Sequence, residues 1–449
     1  MTEPRSAVTG LAWPALPDSV GASLLAVHYQ LAQSEWWPAP RLEDASFRQL
    51  AVLLRHARDT VPAYAQRLAN APVDDPQALA AHWPSIPLLR RTDVQTLGEA
   101  LHSRAVPADH GQVIAYHTSG STGRPLRGLE TELSHFFFGA LNLREHLWQR
   151  RDFGGTFAAI RTQVQDARQP GWGRAIEAVF DTGPALTLPI HTPVERQLDW
   201  LLANDPDYLL THPSNLRGLL LAARARGVTP ARLRGLGNFG EQLPVDLRAL
   251  CDAVWGLPLA DIYSCEEAGY LALQCPEVPE HYHVQAENVF IEVLDAHGAP
   301  CPPGASGEVV LTTLHNFAMP LIRYAIGDLA EVGASCPCGR GLPVLRRIHG
   351  RARNLVRLPD GSRHWPSFPA EEWLAIAPVR QFRLRQTGPE RIEVDLVAAR
   401  PLAAAEQRAV QAMLQRRLGH AFDIALRPVA AIDRGAGGKF EDFVSELDD

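Results

Sequence analysis

The chain has 449 residues, 46% of them apolar and 21% charged, with a formal net charge of −7. Those proportions describe a globular protein long enough for two or three domains, and they exclude a disordered or fibrous chain. The acidic balance, without a basic stripe, argues against a nucleic-acid partner, and no apolar run nears the roughly 20 residues that span a bilayer.

The first residues, MTEPRSAVTGLAWPAL, lack a basic stretch followed by an apolar one, so a cytoplasmic protein is expected. Six cysteines in such a protein point to free thiols or metal ligands rather than a disulfide framework.

Residues 1–110 read mainly as helices. SFRQLAVLLRHARDTV sets Phe47, Leu50, Leu53, Leu54 and Ala57 at helical spacing. GQVIAY then reads as a buried strand, followed by ELSHFFFGALNLREHLW as a helix, AAIR as a strand, a helix around Val194–Ala203 and DYLLTH as a strand. This alternation predicts an α/β architecture. From Val289 the pattern turns β-rich, with DAHG as a turn between strands. A boundary is expected near Arg351, dividing residues 1–350 from residues 351–449. The terminal block carries the turn PDGS, strands QFRLRQT and RIEVDLVA, and a helix from Ala404 to Leu418.

Five polar motifs follow one another. YHTSGSTGRP gathers Thr118, Ser119, Gly120, Ser121, Thr122 and Gly123 after the VIAY strand. Glycine lets backbone N–H groups approach an anion, and the hydroxyls add donors, so the loop suits phosphates. It is not a Walker A loop, because no Gly-Lys-Ser/Thr follows. NFGEQLP gives Gly240 and Glu241; ADIYSCEEAGY gives Tyr263, Glu266 and Glu267; PLIRYAIGDL gives Arg323, Tyr324 and Asp328; GAGGKFEDF gives Lys439.

In this order the motifs resemble the adenylate-forming superfamily of acyl-CoA synthetases and adenylation domains, and specifically its phenylacetate–CoA ligase-like family. HARDTVPAYAQRL, TTLHNFAMPLIRYAIGD and CPCGRGLPVLRRIHGR carry the specific likeness, which covers roughly residues 50–440. The resemblance implies a large N-terminal adenylate-forming domain of mixed sheets and helices and a small mobile C-terminal α+β domain. It implies activation of a small-molecule carboxylic acid by ATP as an acyl-adenylate, then transfer to a thiol such as coenzyme A. Transfer to an amine or a carrier protein is the alternative, and a non-catalytic nucleotide-binding protein is a further one. A monomer or homodimer is expected.

The resemblance also implies roles. Lys439 supplies positive charge during adenylation. Glu267 holds Mg²⁺. Thr118, Ser119, Ser121 and Thr122, with Gly120 and Gly123, surround the triphosphate. Asp328 anchors the ribose, Glu241 and Tyr263 flank the adenine beside Gly240, and Arg351 contacts phosphate or ribose. The acid is expected against Phe137, Asn142, Phe239 and Ser264, and these aromatics favour an aryl acid. Two departures stand out: Glu266 replaces the usual Ser or Thr before the metal-binding glutamate, and Arg353 and Asn354 replace the usual acidic hinge residue.

QCPEVPEHYH and SCPCGRG bring Cys275, His281 or His283, Cys336 and Cys338 together as a tetrahedral Cys₃His set, a structural Zn²⁺ site with no open position. The resemblance favours His283 over His281. Cys251, Cys265 and Cys301 read as incidental.

Overall fold

The computed structural model describes residues 3–117, 126–434 and 438–447. The described chain forms two compact units, and neither is one continuous stretch of sequence.

The first unit comprises Met1–Thr156, Arg168–Ala185 and Ala260–Ile348. Its N-terminal part is helical, with helices Ser19–Ser34, Ala39–Thr60, Pro62–Arg67, Pro76–His82 and Arg91–Leu97. The helical spacing read from Phe47 to Ala57 is an inward face, because Leu50, Leu53, Leu54 and Ala57 are fully buried. That face packs into one apolar cluster with Val309, Leu311 and Tyr324 of the strands Ser306–Thr313 and Tyr324–Val332. These strands and Val289–Leu294 form an antiparallel meander, with Val289 opposite Thr313 and Leu311 opposite Tyr324. A second antiparallel pair, Leu259–Cys265 and Gly269–Gln274, is followed by Tyr282–Val284.

One expectation needs correcting here. VIAY is a strand, Val113–His117, but not a buried one: its residues alternate between exposed and half-buried. Among the described residues it pairs with Arg127–Thr131 alone, in a two-stranded ribbon apart from the large sheet. Arg323, in the same motif as Asp328, serves the structure. It is 3% exposed at φ +49°, pairs with Glu292 at 2.9 Å, and donates to the carbonyls of Trp83, Pro84 and Ile86.

The second unit comprises Phe157–Ala167, Leu186–Leu259 and His349–Asp449. Strands Phe157–Arg161, Tyr208–Thr211 and Gly235–Phe239 run parallel, with helices Val194–Asn204, Pro213–Arg226 and Leu247–Trp255 between and after them. This is the βα alternation expected of an α/β protein. The boundary expected near Arg351 falls inside this unit, yet residues 356–443 keep an apolar core of their own around Trp373, Leu384, Val394 and Met413. Their four-stranded sheet runs in the order Asp423–Pro428, Arg391–Ala398, Val379–Gly388, Phe443–Ser445, with helix Ala404–Leu418. No helix among the described residues is long and apolar enough to cross a membrane.

Candidate active site

In the first unit the hydroxyl of Tyr263 donates to Asp328 Oδ2 at 2.9 Å. Tyr263 ends up buried, with its phenol fixed by the carboxylate expected to anchor a ribose. Glu266 and Glu267 occupy the tight turn that joins Leu259–Cys265 to Gly269–Gln274. Glu266 is exposed and Glu267 half-buried, so the extra carboxylate faces solvent. Burial first, and the Glu267 carboxylate next, push the Tyr116 hydroxyl and the Cys265 thiol well above their ordinary pKa values. The negative field around Glu267 suits a divalent cation. Cys265 is thus held as a neutral thiol and is no nucleophile.

Helix Glu132–Trp148 carries the three phenylalanines. Phe137 stacks on His315 with ring centroids 3.8 Å apart, Phe138 is 41% exposed and meets Tyr270, and the Asn142 amide donates to the Tyr270 hydroxyl at 3.1 Å. Ser264 is half-buried at the end of its strand. His315 is itself held by the Glu287 carbonyl at 2.9 Å, and burial brings its pKa down to about 4.

The second unit holds Gly240, Glu241, Phe239, Arg351 and Lys439. Gly240 sits at φ +79°, where a side chain is strained. A Cβ there would lie 3.2 Å from the His212 ring and 3.8 Å from Lys439 Cε, so the lysine stem passes over this glycine. Gly438 has φ +68° and a Cβ on it would collide with Thr162, so the position beside Lys439 requires glycine.

Glu241 departs from its expected part. Its carboxylate is buried and taken up within the chain: Ser214 N–H donates at 3.0 Å, Arg434 at 3.0 Å and Phe440 N–H at 2.7 Å. Burial pushes its pKa up, with Arg434 opposing. The side chain thus bonds to residues on both sides of Lys439. Arg353 and Asn354 make related contacts. Arg353 pairs with Glu441 at 2.7 Å, and the Asn354 amide donates to Glu441 at 3.1 Å and to the Phe443 carbonyl at 2.7 Å. Arg217 adds bonds to Asp442 and Asp246. Arg351 closes its strand, and its N–H is capped by Asn354 at 3.0 Å. Arg434, Phe440, Glu441 and His212 escaped the sequence reading; for the first three, closeness to Lys439 in the chain was the available signal.

Thr118, Ser119, Gly120, Ser121, Thr122 and Gly123 lie outside the described residues.

The cysteine and histidine cluster is assembled in the first unit. The ligand atoms of Cys275, His283, Cys336 and Cys338 all lie within 4.8 Å of one another. Cys275 and Cys336 sulfurs are 3.8 Å apart, and Cys338 Sγ is 3.4 Å from His283 Nε2. Tetrahedral bonds of about 2.0–2.3 Å put ligand atoms about 3.3–3.8 Å apart, so the set fits a zinc-sized ion. It selects His283 over His281. Arg340 stacks between Trp36 and Trp148, at 4.8 and 4.7 Å, and pairs with Glu35, which pins the loop bearing Cys336 and Cys338.

Two comparisons bear on this arrangement. A phenylacetate–coenzyme A ligase of Thermus thermophilus is 27% identical over 339 residues, 72% of this chain and 73% of that protein. The phenylacetate–coenzyme A ligase of Aromatoleum evansii is 29% identical over 167 residues, 36% of this chain and 38% of its own length, so that match spans well under half of the relative. Among solved structures, 2-hydroxyisobutyryl-CoA ligase in its postadenylation state, bound to 2-HIB-AMP, matches over 92% of both chains at TM-score 0.74 and 18% identity. An anthranilate CoA ligase bound to anthranoyl-AMP matches over 74% of this chain and 66% of its own at TM-score 0.55 and 14% identity. The chain is similar in sequence to phenylacetate–CoA ligases and shares the fold of these CoA ligase structures. No protein-family model matches it. The motifs fall into two groups: Tyr263, Glu267 and Asp328 in one unit, and Gly240, Glu241 and Lys439 in the other.

Proposed function

We propose that the protein activates a small carboxylic acid with ATP and passes the acyl group to the thiol of coenzyme A. A carboxylate oxygen attacks the α-phosphorus, the bond to the β-phosphate oxygen breaks, and pyrophosphate leaves. The thiol then loses its proton and attacks the acyl carbon, and AMP departs with the electron pair of the broken acyl–oxygen bond.

One observation carries this reading: the Lys439 stem lies over Gly240, and the next residue's N–H is bound by Glu241. A lysine anchored there supplies fixed positive charge where negative charge develops on phosphate. Asp328, already accepting from Tyr263, keeps acceptor capacity for ribose hydroxyls. Glu267 would hold Mg²⁺, which polarises the phosphates. Thr118, Ser119, Ser121 and Thr122 donate to the triphosphate, and Arg351 contacts phosphate or ribose. Residues 351–449 act as the lid that brings in Lys439. Cys275, His283, Cys336 and Cys338 hold a structural zinc ion. The aromatic side chains assigned to the acid, Phe137 and Phe239, favour an aryl acid.

The test is pyrophosphate release from ATP and Mg²⁺ across aryl and aliphatic acids, with hydroxylamine as trap, with and without coenzyme A, beside Lys439→Ala. Acid-dependent release that collapses in the variant is expected, with acceleration by coenzyme A. Release that coenzyme A leaves unchanged would turn the acceptor toward an amine or a carrier protein. A folded, ATP-binding protein that never releases pyrophosphate would end the catalytic reading.

A further inference from the structure

His212 joins strand Tyr208–Thr211 to helix Pro213–Arg226, at the carboxyl end of a parallel strand. In open α/β sheets that end faces the ligand crevice. The ring is 2% exposed. It lies against Phe239, centroids 4.5 Å apart, and borders the space that a Cβ on Gly240 would enter.

The tautomer follows from the contacts. Nδ1 is 3.1 Å from the Phe239 carbonyl, which only accepts, so Nδ1 carries the hydrogen. Nε2 therefore presents a bare lone pair. That atom is buried and has no hydrogen-bond partner among the described residues. Burial, then the charges of Arg434, Lys439 and Arg161, bring the ring's pKa down to about 3, so it is neutral at any working pH. An unmet buried acceptor is unfavourable and persists where something else engages it.

Lys439 is the complementary group. Its ammonium has three donors, and among the described residues no carboxylate lies within ion-pairing distance of it. Its Cε and the His212 ring both lie against the one Cβ position that Gly240 leaves empty. Arg434, by contrast, is already paired with Glu241.

We propose that His212 is a positioning residue for Lys439: its Nε2 accepts one N–H of the ammonium once ATP and acid are bound, and so aims the remaining donors at the reacting phosphate and carboxylate. The proposal rests on the adenylating reading of Lys439 given above. A neutral acceptor suits this task, because an imidazolium would repel the lysine. Gly240 keeps the two side chains in contact with one space, and Phe239 O fixes the ring.

The experiment measures acid-dependent ATP–pyrophosphate exchange in the full chain for His212→Asn, His212→Gln, Lys439→Ala and the double variant His212→Asn/Lys439→Ala. Asparagine keeps a donor near the Nδ1 position but has nothing at Nε2; glutamine reaches the Nε2 position. His212→Asn should lower kcat tenfold or more with the KM for ATP within twofold, and His212→Gln should recover most of the loss. In the Lys439→Ala background the His212→Asn change should add less than twofold, since a residue acting through Lys439 has nothing left to act on. Multiplying losses, or a His212→Asn rate equal to the parent, would overturn the proposal. If Lys439→Ala itself keeps full exchange, the reading of Lys439 fails first, a distinct result. Thermal unfolding of each variant separates a folding defect from a lost alignment.

Discussion

The Phe440 N–H donates to Glu241 Oε1 at 2.7 Å, one residue past Lys439, while Arg434, five residues before Lys439, donates to the same oxygen at 3.0 Å. One buried carboxylate therefore holds the lysine loop on both flanks. Removing it strands the Arg434 guanidinium, and breaking a buried pair from one side costs about 3–5 kcal/mol. Glu241→Ala should lower urea-unfolding stability by about 3 kcal/mol and cut acid-dependent pyrophosphate release at saturating substrates at least tenfold. Glu241→Gln keeps an acceptor for Phe440 and should lose less. Full release by a folded Glu241→Ala protein would show that the loop needs no such clamp.

Tyr263 and Asp328 offer a gentler test. A neutral hydroxyl bonded to a carboxylate contributes about 1.5 kcal/mol, a factor of roughly ten. Tyr263→Phe should raise the KM for ATP by about that factor, with kcat little changed and the fold intact, because the ring keeps its buried contacts. Asp328→Ala should weaken ATP binding further. Equal ATP affinity in parent and Asp328→Ala, by calorimetry, would remove Asp328 from the nucleotide site.

Much of this was legible in the chain. The helices Glu132–Trp148 and Ala404–Leu418 coincide with their expected spans, since long 3.6-residue patterns leave little ambiguity. Gly240 and Lys439 sit together although 199 positions separate them, an arrangement the ordered motifs implied only by resemblance. What escaped was partner choice. VIAY was apolar enough for a core strand, but burial depends on which strand pairs with it, and among the described residues that is Arg127–Thr131. Glu241 looked like a ligand contact because nothing local reveals that Arg434 and Phe440 return to it. His212 is a lone histidine at a strand end, and its missing Nε2 partner is a property of three dimensions alone.

Acid should weaken the fold through buried neutral histidines. Burial holds His146 well below its ordinary value, His212 at about 3 and His315 at about 4. Their folded pKa values lie below the unfolded one near 6.5, so the unfolded chain takes up protons first as pH falls. The stability they contribute is complete above about pH 6.5 and is lost on the way down to pH 4 and below. For His315, 6.5 − 4 = 2.5 units, at about 1.36 kcal/mol each, gives roughly 3 kcal/mol at most. His315→Gln can still donate to the Glu287 carbonyl, so its urea midpoint should approach the parent's between pH 7 and pH 5. Parallel midpoints across that range would contradict the buried, neutral ring.

The thiol and imidazole cluster makes the last prediction. Cys275, Cys336 and Cys338 are free, not disulfide-bonded, and three thiols packed against His283 repel one another as thiolates unless a cation gathers them. Cys336 bridges the set, 3.8 Å from Cys275 and two residues from Cys338. The purified protein should carry about one zinc per chain by elemental analysis. Stripping it with a strong chelator should lower the melting temperature, and added zinc should restore it. Cys336→Ser should lose the metal and melt at the stripped temperature, while Cys301→Ser, outside the cluster, should do neither. His281→Ala should keep its zinc and His283→Ala should not, because only His283 faces the thiols. A protein that purifies without metal and melts the same with or without zinc would leave the cluster as reduced cysteines packed in a core.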